Sequence, residues 1–209
     1  MKKLLLTFFL AGLLILLNTI SFASLKVEYP LSSDKILMFV APSNFQENEY
    51  LTTREMLEKL GAEVDVASTT LEVLSGTKKL KVKPDMLIPA SIEAENYSAV
   101  IVIGGPGVNV FFDYPPALFF IKSAYENKKV IGGIGLGPLV LGNAGILKNR
   151  KATVWWGARK ELVKLGAIYT GKTIEKDGNI ITARNSTAAK DFSWKIAKTL
   201  IYLKNSKKK

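Results

Sequence analysis

The sequence predicts an α/β domain, doubly wound, with a mainly parallel central sheet covered by helices on both faces. Three features predict it. Lys35–Ala41, Ala99–Ile103 and Lys129–Ile134 are nearly continuous apolar runs, as expected of strands buried on both faces. Segments with helical spacing separate these runs. Two of them pass directly into Gly104-Gly105-Pro106-Gly107 and Gly135-Leu136-Gly137-Pro138. In such sheets ligands bind beyond the carboxyl ends of the strands, so Pro42–Glu49, Gly104–Val108 and Gly135–Pro138 are expected around one crevice.

The chain opens on Met1-Lys2-Lys3, an uncharged run Leu4–Leu17, and small residues at Ser21 and Ala23. These are the three parts of a secretory signal peptide over 1–23, cut after Ala23. The expected localisation is periplasmic or extracellular. The alternative is membrane anchoring by an uncleaved leader, whose apolar run must then extend through Ile20 to approach the ~20 residues that span a bilayer. No cysteine follows, which excludes a lipid-anchored lipoprotein. Residues 24–34 read as a linker.

Pro42-Ser43-Asn44 breaks the first strand. A helix is expected from Gln46 to Leu60, with Tyr50, Thr53, Leu57 and Leu60 on one face and Gly61 as its stop. Glu63–Ala67 alternates as a second strand. Residues 71–84 hold two short β segments turning around Ser75-Gly76. Asp113 is placed to cap a helix whose first turn contains Pro115 and Pro116. Lys129–Ile134 runs into a helix ending near Ala144. Ala158, Leu162 and Leu165 mark a short helix, and a β pair turns at Lys176-Asp177-Gly178-Asn179. Ala189, Phe192, Ile196, Leu200 and Leu203 then carry the spacing of a last helix. The domain is expected over 35–203, followed by a basic tail at 204–209.

The 209 residues contain neither cysteine nor histidine. That excludes disulfides, thiolate metal ligands, a cysteine nucleophile and every Ser-His or Cys-His pair. Asp65, Asp85 and Glu95 have no metal-ligand spacing. Gly133-Ile134-Gly135-Leu136-Gly137 falls short of a dinucleotide-binding fingerprint, because Pro138 stands where the third glycine belongs. No cofactor is expected. The formal charge is +11, concentrated in Lys78-Lys79-Leu80-Lys81-Val82-Lys83 and in the tail. Solvated surface is the plain reading of such clusters, and weak attraction to an anionic cell envelope is the functional one. A secreted chain is not expected to meet nucleic acid. Trp155-Trp156 is expected to pack in the core or at an interface, with at most one of the two lining a site.

At the third strand end, amide donors beside a helix start can stabilise an anion, but the position from which a nucleophile would project holds Gly135. These residues resemble the PfpI/DJ-one family. Lys35–Ala41, Asn44–Glu49, Tyr97–Gly107, Val130–Thr153, Asp177–Asn185 and Ala188–Phe192 carry the resemblance in family order. The stretch Ala144–Thr153 is the most specific, and together the segments span about 34–203.

The resemblance implies a flavodoxin-like sandwich, usually a homodimer, related to class I glutamine amidotransferases. Members include peptidases, glyoxalases, deglycases, chaperones and redox sensors. The family's elbow cysteine maps to Gly135 and the glutamate that hydrogen-bonds it maps to Glu49. Gly104, Gly105 and the Leu136 amide match the backbone oxyanion donors. Glycine cannot form a thioester, a hemithioacetal or a sulfenic acid. The expectation is therefore a domain without thiol chemistry, acting by binding a small anionic or carbonyl ligand or by assembly. Non-covalent chemistry on a small carbonyl compound through Glu49 is the alternative. Glu49 can also be a helix-start carboxylate that the dipole favours.

Overall fold

Strands that are apolar on both faces need cover on both faces, and the fold supplies it. The computed structural model describes residues 29–89 and 93–207. Its elements in chain order are β1 (Lys35–Phe39), β2 (Ser43–Phe45), α1 (Glu47–Lys59), β3 (Glu63–Ser68), β4 (Leu74–Gly76), β5 (Lys81–Val82), β6 (Met86–Leu87) and β7 (Ala99–Val102). They continue with α2 (Pro115–Glu126), β8 (Val130–Ile134), α3 (Gly137–Asn143), β9 (Lys151–Ala152), α4 (Arg159–Lys164), β10 (Ile168–Tyr169), β11 (Ile174–Asp177), β12 (Ile180–Ala183) and α5 (Ala189–Lys207). The main sheet runs β11-β12-β8-β7-β1-β3-β6. Its pairs are parallel except β11–β12.

Alternation along β1 divides the core. Leu37 and Phe39 face a cluster with Phe111, Phe120 and Ile121. Ile36, Met38 and Val40 face another with Leu57, Phe192 and Ile196. So α2 covers one face, while α1 and α5 cover the other. The predicted α/β fold is the one present. Because β8, β7 and β1 are neighbours in the sheet, the turns that follow them emerge side by side.

Local expectations are corrected in three places. The hairpin turns at Thr77–Leu80, not at Ser75-Gly76, which lie in β4; Gly76 N–H donates to Leu80 O at 2.9 Å. Asp113 caps nothing, since α2 starts at Pro115 with Tyr114 as its extended N-cap. The helix after β8 runs Gly137–Asn143 with Ala144 as its C-cap, ending near Ala144 as expected. The tail from 204 continues α5 as far as Lys207, and Lys204 Nζ lies 2.6 Å from Asp34 Oδ2.

The signal-peptide segment lies outside the described residues, as does the linker before Tyr29. From Tyr29 onward the linker packs on the body: Leu31 is fully buried and its N–H donates to Leu60 O at 2.9 Å.

Candidate functional site

The site is built from the turns after β1, β7 and β8. Gln46 is extended and its Oε1 accepts the Asn48 N–H at 3.2 Å, which caps α1. Glu47 and Glu49 then fall in the first helical turn, where the dipole favours acids. Both are buried. Glu47 Oε1 accepts the N–H groups of Lys78 at 2.6 Å and Leu80 at 2.8 Å, pinning the β4–β5 turn to the start of α1. Gly76 leaves room for it, because a Cβ there would lie 2.8 Å from the Glu47 carboxyl carbon.

Glu49 is 3% exposed, and its Oε2 accepts the Gly104 N–H at 3.0 Å. Burial pushes its carboxyl up to about 8, although the Gly104 amide pulls the other way. Removing a carboxylate from water penalises the charged form more than one amide donor recovers. Near neutral pH this group is chiefly a protonated carboxylic acid.

Gly135 forms the elbow between β8 and α3. Its φ of +62 is the left-handed conformation that glycine takes without a Cβ penalty. The turn is fixed on both sides: Gly135 N–H donates to Ala183 O at 3.0 Å, and Gly135 O accepts Trp155 N–H at 2.9 Å. A Cβ built on Gly135 would lie 2.7 Å from Glu49 Oε2 and closer still to Oε1. A Cβ on Gly104 would meet Glu49 Oε2 and Ile134 O at 2.6 Å and Leu136 N at 2.7 Å. The Glu49 carboxyl, Gly135 and Gly104 are thus in contact, and neither glycine has room for a Cβ unless Glu49 moves.

Of the residues expected at the site, the fold joins Glu49, Gly104, Gly135 and Leu136. Gly104 serves differently from expectation, since its amide is engaged by Glu49. Gly105, at φ +106, packs against the backbone of Asn44 and Gln46. Leu136 is half-buried and precedes α3.

Of the core and interface placements expected for Trp155 and Trp156, the core is not the one found. They are 42% and 61% exposed, with ring centroids 5.5 Å apart. They do not alternate as strand residues do, because Trp156 opens a 3-10 turn. Asp65 accepts from Tyr97 Oη and pairs with Lys35, and Asp85 accepts the Val66 N–H.

The sequence profile of the DJ-1/PfpI family matches residues 34–199. The chain belongs to the DJ-1/PfpI family. An uncharacterized protein of Methanocaldococcus jannaschii is 34% identical over 79% of this chain and 82% of its own. Deglycase PfpI of Pyrococcus furiosus is 25% identical over 71% of this chain and 89% of its own. Among solved structures, DJ-1beta of Drosophila melanogaster has a TM-score of 0.75 at 27% identity, covering 81% of this chain and 91% of that one. A ThiJ/PfpI domain protein from Brachyspira murdochii has a TM-score of 0.76 at 27% identity, covering 79% and 95%.

Reasoning from sequence missed two DJ-1/PfpI-site contacts. Glu47 gave a partial signal, an acid at a helix start beside Glu49, but its partners lie far along the chain. Trp155 gave none, because its link to Gly135 is through the backbone.

Proposed function

We propose that this DJ-1/PfpI-family chain is a binding domain without covalent thiol chemistry, taking a small carbonyl-bearing or anionic molecule at the Glu49–Gly135 elbow. The observation that carries this is the elbow itself: Gly135 offers no side chain, and the Glu49 carboxyl stands in its place. A protonated Glu49 supplies an O–H donor that a carbonyl or carboxylate oxygen can accept. Relatives named deglycase and glutathione-independent glyoxalase support small carbonyl compounds as the ligand class. A homodimer rests on the family resemblance, and a periplasmic or extracellular location on the Met1–Ala23 leader.

One observation favours a second reading, non-covalent catalysis. General acid–base work near neutral pH needs a carboxyl raised toward the operating pH, and burial raises Glu49 to about 8.

The test is turnover of glyoxal-type and glycated substrates by purified wild type, read beside intact-protein mass. Background rates with no adduct, together with ligand-induced thermal stabilisation lost in Glu49→Gln, are expected. Turnover abolished by Glu49→Gln in a folded protein selects the catalytic alternative. A covalent adduct at the elbow overturns both.

A further inference from the structure

The β4–β5 hairpin carries Lys78, Lys79, Lys81 and Lys83, all exposed. None of them forms an ion pair among the described residues, whereas Lys35, Lys59, Lys172 and Lys204 each do. The run alternates, with Val82 buried between exposed Lys81 and Lys83. The lysines are held in place. Glu47 accepts two backbone N–H groups of the turn, and Thr77 N–H donates to Phe45 O at 3.0 Å. Lys79 sits at φ +73, a conformation that glycine or asparagine adopts more readily. The turn therefore keeps a charged side chain where backbone preference alone would not put one.

Apolar residues share this end of the molecule. Leu71 and Val73, which lead into β4, are 51% and 52% exposed. Leu51 is 37% exposed and lines a groove with Lys81 and Lys83. The acids nearby include Glu72, Glu55 within 3.9 Å of Lys59, Glu58 paired with Arg54, and exposed Asp85, which accepts the Val66 N–H.

We propose that this hairpin docks on an anionic lipid surface, independently of any ligand at the elbow. The lysines provide the attraction and Leu71, Val73 and Leu51 the apolar contact with the headgroup boundary. Lysine suits a fluid array of headgroups, because it acts as a flexible point charge. Arginine, the residue of planar bidentate recognition, lines this groove only as Arg54, which is engaged by Glu58 and the Tyr50 hydroxyl. No aromatic ring among the groove's lining residues except Tyr50 offers stacking to bases.

The experiment is vesicle co-sedimentation of the full chain as recovered from its host, its N-terminus fixed by mass spectrometry. Phosphatidylcholine vesicles with and without phosphatidylglycerol separate lysine-driven binding from insertion of a retained leader, which needs no anionic lipid. Binding that requires phosphatidylglycerol and weakens from ~0.05 M to ~0.3 M salt is expected. Lys81→Gln/Lys83→Gln should lower partitioning by more than tenfold, at about fivefold per lysine, with thermal stability unchanged. Val73→Ser should lower it less, and Lys207→Gln/Lys208→Gln/Lys209→Gln should leave most of it. Equal binding to neutral vesicles, wild-type binding by the double variant, or preference for polyglutamate or RNA over vesicles overturns the proposal.

Discussion

The Glu49 carboxyl lies where a side chain on Gly135 would be, with a built Cβ 2.7 Å from Oε2. Glycine at φ +62 and an uncharged acid in its side-chain space make one arrangement, and its parts can be tested separately.

The first test is stability against pH. Unfolded, Glu49 releases its proton near the ordinary 4.5; folded, it holds it to about 8. Between these values the folded state carries more protons, so raising pH favours unfolding. This contribution is fully present below about 4.5 and lost as pH rises through about 8. The expected slope is at most ~1.4 kcal/mol per pH unit. Urea melts across this range should show wild type weakening with pH and Glu49→Gln weakening less. Parallel profiles for the two proteins would mean that Glu49 is ionised in the folded state.

The second concerns Gly135. Gly135→Ala places a Cβ in the left-handed region, at roughly 1–2 kcal/mol, and drives it against Glu49. Repeating the substitution in Glu49→Ala removes the collision and keeps the backbone strain. The cost of Gly135→Ala should then fall by about 1 kcal/mol, measured as a double-mutant coupling energy. Gly135→Cys meets the same obstacle, so any thiol there requires Glu49 to move. Equal costs in both backgrounds would refute the shared space.

The fold was legible because β1, β7 and β8 are apolar on both faces and end in turn residues. The elbow was legible because Gly135 falls between a buried strand and Pro138. Hydrogen-bond partners were hidden by chain distance. Glu49 meets the amide of Gly104, 55 positions on, and Glu47 meets those of Lys78 and Leu80, 31 and 33 positions on. A donor free to face an oxyanion and a donor already engaged by a carboxyl read identically as glycine. Of the core and interface placements expected for Trp155 and Trp156, the core one fails because aromatic character says nothing of a 3-10 turn that points both outward. What holds the N-terminal boundary was hidden for a similar reason: Leu31, between Tyr29-Pro30 and Ser32-Ser33-Asp34, belongs to no helical or strand period, and only the body of the domain shows what buries it.

That boundary yields the third prediction. The Asp34 side chain is 3% exposed, and Lys204 Nζ reaches it at 2.6 Å and Pro30 O at 3.3 Å. Entry to β1 and exit of α5 are therefore joined by a charge pair whose acidic member is out of water. Lys204→Gln leaves that carboxylate without its cation and should cost about 1–3 kcal/mol in a urea melt, less than a fully buried pair because Lys204 is partly exposed. Asp34→Asn added to Lys204→Gln removes the stranded charge and should recover part of the loss. Truncation after Leu203 should reproduce the Lys204→Gln deficit, since Asp34 loses the same partner. If truncation and Lys204→Gln both leave stability unchanged, the pair does no structural work and the domain ends at Leu203, as its apolar spacing alone suggests.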